Sequence, residues 1–434
     1  MESQEEDVWV ISTWKTDIPN KVKYINGCFS CLKFPACCQQ VLIVLDKYYA
    51  SYQPCTLQNP ALFVMSFLEE LIEKYLYHTT DKTGQGLSAI LELRLLEVMC
   101  SHFQTQESDF VRYCVFDLLF GVSRDDLREE KFECRIDLLT KLVSMAVALQ
   151  SGNVLDCMAW WIQKHRHAPD FVVKIASSIV DDYTCLVPAS LPFLESVSFI
   201  SPPLACQLII TQTSVYTMKP QPDRDETEAQ PSNTLVKVIV KWISTNLGIC
   251  LAKPNNTFLS LPSLHNPPMS EPAATPLPTC PVLGLLTWTV LQPLVCLVDQ
   301  EESTRDLYSE LQLGILQTLV RSGRNKMNPK DEMEMEPGEV MDESDLLRHL
   351  LKGEELHSLT STVTSFIDNL KHNAIAKGAV QEKIDLALDR LAQVLQVAIA
   401  TGCLSCTRDE LLAICKSLPA NRLLETIASN LDKM

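Results

Sequence analysis

The chain has 434 residues, enough for one large domain or two to three ordinary ones. Apolar residues make up 46%, charged residues 21%, and only 13 glycines are present, which favours helices over the many turn-linked strands of a sandwich or barrel. The net charge is −17 with no offsetting lysine or arginine stripe, which argues against a nucleic-acid backbone as the main ligand, because phosphates are held by basic side chains.

The first residues, "MESQEEDVWV", are acidic and lack a signal-type apolar segment, so the 17 cysteines are expected to stay reduced and to act mostly as small buried hydrophobes. Residues 1–33 read as an N-terminal extension of undetermined order. Within "CFSCLKFPACC", Cys28, Cys31, Cys37 and Cys38 could supply four thiolates. The C-x2-C-x5-C-C spacing is not a common closed zinc pattern, and Pro35 reads as the start of a helix that takes up Cys37 and Cys38.

Helical periodicity then runs through most of the chain. In "NPALFVMSFLEELIEKYLYH" the apolar stripe is Val64, Leu68, Leu71, Ile72 and Tyr75, with Asn59 as N-cap and Pro60 in the first helical position. "LSAILELRLLEVMCSHF" follows as a second helix, and "SDFVRYCVFDLLFG" reads as a Ser108 cap, a helix and a Gly121 stop. Further helices are expected at Glu130–Leu149, Val154–His165, Phe171–Tyr183, Leu191–Phe199, Pro203–Tyr216 and Leu235–Asn246.

Adjacent Trp160 and Trp161 point roughly 100° apart on a helix, so both cannot centre one narrow face. Two core tryptophans, or one core residue and one partner anchor, are the alternatives. His165 and His167 follow a helix end, where a cation is favourable without any metal. Asp181 and Asp182 diverge on their helix and are poorly placed as an acid/base pair. Trp160, Trp161, Asp181, Asp182 and Tyr183 are the candidate partner contacts.

Lys219–Ser232 reads as a polar loop, and Ala252–Pro281 as a Pro-rich extended segment. "PVLGLLTWTVLQPLVCLV", Pro281–Val298, carries no charge and is long enough to suggest a membrane span. Pro281, Pro293, Gln292 and the lack of flanking basic anchors favour a buried, kinked helix instead. Asp331–Asp345 holds eight acidic and no basic residues and is expected to be solvated and disordered.

Near the C-terminus Ile384, Leu388, Leu391, Leu395 and Ile399 form one helical face. Gly402 stands where such a helix ends, and Thr407 with Glu410 fits a capping box for the next one. Cys403 and Cys406, a C-x-x-C pair, therefore fall in a helix connection with no nearby histidine and no βαβ context. Leu395 and Ile399 are expected to pack across the bend on Leu411, Leu412 or Ile414.

The expected fold is all-α, an irregular α-solenoid or HEAT-like stack of antiparallel helix pairs with long disordered loops. Its parts are an N-terminal helical array over 34–250, a Pro-rich linker over 251–281, and a C-terminal array over 282–434 that includes an acidic loop at 323–345. No P-loop, G-x-S-x-G, H-E-x-x-H, Rossmann glycine fingerprint or EF-hand is present, so no enzyme and no cofactor is indicated. A Cys-rich metal-binding or thiol-redox protein is the alternative reading.

"KLVSMAVAL" (Lys141–Leu149), "VDDYTCLVP" (Val180–Pro188), "LLEVMC" (Leu95–Cys100) and above all "LDRLAQVLQVAIATGCLSCTRDEL" (Leu388–Leu411) resemble the Integrator complex subunit 15 family. The resemblance covers roughly Phe34 to Leu424, and residues 1–33 show none. It implies a nuclear, non-catalytic helical-repeat adaptor in an assembly that associates with RNA polymerase II and processes small nuclear RNA 3′ ends. The implied partners are other Integrator subunits, in particular the module of the tenth, thirteenth and fourteenth subunits, with no direct nucleic-acid contact and no membrane.

Overall fold

The computed structural model describes residues 18–50, 62–77, 87–121, 130–166, 169–186, 188–216, 230–251, 280–295, 302–324, 351–373 and 377–433. The Asn59–Pro60 cap, His167, most of the Lys219–Ser232 loop, most of the Pro-rich segment and the acidic run from Asp331 to Asp345 lie outside them. Among the described residues are 17 α-helices and one pairing of two-residue strands, so the chain is all-α. The residues cluster into two compact units, divided between Asp182 and Tyr183.

The first unit holds α1 (Ile18–Cys31), α2 (Ala36–Ala50), α3 (Leu62–Tyr75), α4 (Ala89–Thr105), α5 (Asp109–Phe120), α6 (Glu130–Leu149), α7 (Gly152–His165) and α8 (Pro169–Asp181). Helix α1 lies within residues 1–33, where the sequence suggested no element. It buries Ile25 and Phe29, and Phe29 stacks on Tyr75 at 5.0 Å. Ser108 caps α5 by accepting from the Val111 N–H. Gly121 ends that helix with φ −59°, not in the left-handed region. Helix α6 closes with left-handed Gln150, φ 54°, the Ser151 N–H reaching back to the Ala146 carbonyl.

The second unit holds α9 (Leu191–Ile200), α10 (Pro202–Val215), α11 (Asn233–Thr245), α12 (Pro281–Val295), α13 (Glu302–Arg324), α14 (Gly353–Asn373), α15 (Lys377–Thr401), α16 (Arg408–Ser417) and α17 (Arg422–Lys433). A 3-10 turn, Leu247–Leu251, follows α11. Strands β1 (Leu351–Lys352) and β2 (Leu404–Ser405) pair in parallel, Leu351 opposite Leu404.

One rule organises both units: a helix packs on the helix two places further along. In the second unit this holds for α9 with α11, α10 with α12, and every such pair through α15 with α17; in the first it holds for α2 with α4, α4 with α6, α5 with α7 and α6 with α8. Alternating helices thus form two layers, each stacking on its own kind, which is the packing of an α-solenoid. No fixed sequence period accompanies it because the helices differ in length.

Helix α12 explains the long uncharged stretch. It is surrounded by α10, α13, α14, α15 and the 3-10 turn, so nearly every side chain of it is buried. A helix enclosed on all sides is apolar all round, as a membrane span is, for a different reason. At its crossing with α10, a Cβ on Gly284 would come within 2.3 Å of Thr213 Oγ1, so glycine permits the close approach. No single helix among the described residues is long and apolar enough to cross a membrane. One bent pair, α9 with α10 at 117°, is apolar enough in sum, but residues 204–213 of α10 are buried in the unit.

Candidate protein-interaction site

Trp160 and Trp161 both lie inside the first unit, 5% and 0% exposed. The 100° between them is no obstacle, because α7 packs against α4, α5, α6 and α8 and so has more than one buried face. Trp161 donates its indole N–H to the Phe120 carbonyl at 2.9 Å, and the His165 ring stacks on it at 4.5 Å. Phe120 is the last residue of α5, so its carbonyl lacks an intrahelical donor and the indole supplies one.

Trp160 lies 5.4 Å from the Tyr113 ring, with the Lys164 ammonium 5.0 Å above its face. Lys164 also pairs with Asp117 at 2.6 Å, both side chains nearly buried. The Trp160 indole N–H makes no hydrogen bond.

Asp181 is exposed and Asp182 half-buried at the end of α8, and Asp182 accepts from the Ser144 hydroxyl. Partial desolvation by the surrounding chain, although the residue is exposed, and then the charge of Asp182 push the Asp181 carboxyl above its ordinary value. Tyr183, in the π-helical turn Asp182–Leu186, is buried. The five expected contacts therefore do not form one exposed patch.

Cys28 and Cys31 lie on α1, the latter exposed, whereas Cys37 and Cys38 are buried on α2. Cys38 Sγ donates to the Tyr75 carbonyl at 3.1 Å. No group of three or more His, Cys, Asp or Glu side chains among the described residues is placed to hold a metal ion. Burial pushes Cys100 up to about 11, Cys114 and Cys250 up to about 12, and Cys38, Cys157 and Cys206 well up. The thiolate is the nucleophile and the ligand, and burial disfavours it in these residues.

The C-x-x-C connection is a structural joint. Gly402, φ 65°, sits at the end of α15 in a Schellman motif: its N–H bonds the Ile399 carbonyl at 3.2 Å and the Cys403 N–H bonds the Ala398 carbonyl at 2.9 Å. The Thr407–Glu410 capping box is present in both directions. Between them Leu404 and Ser405 form β2, and the Leu351 N–H donates to the Cys403 carbonyl at 3.2 Å. That pairing ties the joint to the entry of α14. As a result α16 packs on α14 and α17 rather than folding back on α15, which corrects the expected hairpin. Leu395 is fully buried, as expected, and Ile399 half-buried.

One buried charge escaped the sequence reading. Arg390 on α15 is 5% exposed and donates Nη1 to the Thr289 carbonyl at 2.7 Å and to Gln292 Oε1 at 3.1 Å. Thr289 stands four residues before Pro293, which lies inside α12 and has no N–H to offer that carbonyl. Arg390 supplies the missing donor. Burial lowers its guanidinium to about 10, still protonated at neutral pH. The Gln312 side-chain amide in turn donates to the Arg390 carbonyl at 3.0 Å.

An open cleft of about 430 Å³ lies beside Asp46, Lys47, Tyr49, Gln106 and Phe110 in the first unit. Its carboxylate, Asp46, is engaged by Gln106 at 2.6 Å and by the His102 ring at 3.2 Å. Those contacts fasten α2 to α4 and its exit.

The family model for Integrator complex subunit 15 matches residues 23–420, beginning inside α1. The chain is 35% identical to Integrator complex subunit 15 of Mus musculus over 418 residues, covering 90% of this chain and 83% of that protein. It is 33% identical to the Homo sapiens protein of the same name at the same coverage. The Drosophila melanogaster protein of that name is 24% identical, covering 94% of this chain and 96% of its own. Among solved structures, a circular tandem repeat protein with novel repeat topology aligns at 13% identity over 91% of this chain and 82% of its own, at a TM-score of 0.26.

Proposed function

The chain belongs to the Integrator complex subunit 15 family, and from that premise we propose that it is a non-catalytic helical scaffold subunit of the nuclear Integrator complex. It acts by binding other subunits, the module of the tenth, thirteenth and fourteenth subunits first among them. Through them it supports regulation of RNA polymerase II transcription and small nuclear RNA 3′-end processing. The observation that carries this reading is the family match along nearly the whole helical stack. A two-layer stack supports it physically, because it offers long helix faces to several partners at once. The net charge of −17 supports protein rather than nucleic-acid partners. Of the five expected contacts, Asp181 and Asp182 remain the candidates, since the two tryptophan rings and Tyr183 are buried.

Affinity purification of the tagged chain from nuclear extract tests the proposal. Recovery of Integrator subunits, with the tenth, thirteenth and fourteenth enriched, is the expected result. A preparation with none of them rules out the scaffold role; recovery of other subunits without those three leaves the role and removes the module assignment.

A further inference from the structure

Helix α13 packs on α11, α12, α15 and the 3-10 turn. Its inner side is Tyr308, Leu311, Ile315 and Leu319, all buried. The opposite side carries Glu310, Leu313, Leu316, Gln317, Val320 and Arg321, exposed except for half-buried Leu316. Leu313 is 54% and Val320 37% exposed. Leu313, Leu316 and Val320 recur three and four positions apart, so they form one row along the helix. A row with that spacing is the seam one helix offers to another.

The charges at the two ends of the row indicate what covers it. Glu310 stands three positions before Leu313, and Arg321 directly follows Val320. Eleven positions separate the two charges, about 16 Å along the axis, so they do not pair with each other in one chain. Eleven positions also bring them within about 20° of each other around the axis, on one flank of the row. The face thus reads acid, apolar, base from end to end, and such a face is complementary to its own reverse. A twofold axis at Leu316 sets Val320 of a second copy against Leu313, Leu316 against Leu316, and Arg321 against Glu310, because a twofold joins a flank to its own copy. Parallel alignment would instead place Glu310 on Glu310 and Arg321 on Arg321. Arg305 and Asp306, further toward the start of α13, fall opposite positions past the end of that helix and stay outside the contact.

We propose that the outer side of α13 is a self-association face, through which two copies of this chain pair by antiparallel α13 helices. The contact is an apolar centre of three residues from each copy, closed at both ends by Glu310 of one copy on Arg321 of the other. It is smaller than the about 800 Å² per partner of a standard interface, and the net charge of −17 opposes it, so the dimer is weak and reversible. Nothing in this inference uses the family reading.

Sedimentation velocity of the purified full-length chain, from about 1 to about 200 μM, tests it. The wild type is expected to pass from monomer to dimer over that range. Leu313→Glu should weaken association by about tenfold or more. Glu310→Arg and Arg321→Glu should each weaken it about fivefold, since the twofold turns one reversed charge into two like-charge contacts. The double variant Glu310→Arg/Arg321→Glu should return to within about twofold of the wild type, because each swapped charge again meets its opposite. All these proteins should melt with the wild type, because the changed side chains are exposed. Should Leu313→Glu fail to fold, the charge series decides alone. A chain that stays monomeric throughout, or a dimer that none of the variants weakens, overturns the proposal. A double variant no better than the single ones overturns the antiparallel pairing on which it stands. A monomeric chain that loses a subunit from nuclear extract on Leu313→Glu assigns the face to that subunit and also overturns it.

Discussion

Arg390 and Pro293 are 97 positions apart in sequence and share one carbonyl oxygen. Pro293 withholds the N–H that Thr289 would otherwise accept, and Arg390 provides a donor at 2.7 Å. Leaving a buried carbonyl unmet costs about 1–3 kcal/mol, so Arg390→Met should be destabilising by that order. Pro293→Ala restores the helical N–H, so the same Arg390 substitution should cost about 1 kcal/mol less in that background. Urea unfolding of the four proteins measures the coupling, and simple additivity would show that the two residues do not share the carbonyl. Glu410 gives a pH signature at the same scale. Its hydrogen bond from the Thr407 backbone, then that with the Thr407 side chain, hold its carboxyl below the ordinary value. The stability it adds is present above its unfolded pKa and is lost as pH falls through the lower folded one. Glu410→Gln keeps the acceptor without the charge, so its melting temperature should approach that of the wild type as pH falls below about 4. A difference constant from pH 7 to pH 3 would mean that the charge contributes nothing.

At the scale of elements, the joint between α15 and α16 and the helix α7 make separable claims. The joint is shaped by Gly402, the capping box and the pairing of β2 with β1, so its cysteines matter for fit. Leu395→Ala should cost about 2–5 kcal/mol because the side chain is fully buried. The double change Cys403→Ser/Cys406→Ser should cost less and leave recovery of partner subunits intact. A double variant that loses its partners while Leu395→Ala keeps them would mark the pair as a chemical site. In α7 the two tryptophans are both core yet should respond differently. Trp161→Phe strands the Phe120 carbonyl, whereas Trp160→Phe breaks no indole hydrogen bond. Trp161→Phe should therefore be the costlier by about 1 kcal/mol in chemical denaturation. Equal costs would mean that the indole bond to α5 adds nothing.

At the scale of the molecule, each unit has its own core, around Phe116, Phe120 and Trp161 in one and around Trp242, Trp288 and Leu395 in the other. In a stack whose contacts are between near neighbours, stability is a sum of local terms, and separate cores need not melt together. Single-tryptophan probes at positions 161 and 288 should show different urea midpoints. Coincident midpoints would mean that the whole chain unfolds as one cooperative body.

The sequence by itself determined the helical class, most helix positions from Leu62 to Thr245, the Gly402 stop, the Thr407–Glu410 box and the family. The family was legible from the resemblance of particular stretches, Leu388–Leu411 above all; the others rest on local physics: an apolar residue every three or four positions, a side chain that meets an orphaned N–H, a glycine where φ is positive. Tertiary structure decided the rest. It placed both tryptophans of α7 in the core by surrounding that helix, and made the uncharged α12 a central strut. It set Arg390 against the gap left by Pro293, and turned α16 toward α14 through a two-residue strand pairing. None of these has a period or a spacing, because each is a meeting of residues tens of positions apart, settled by which faces leave no buried polar group without a partner and no core side chain without a neighbour.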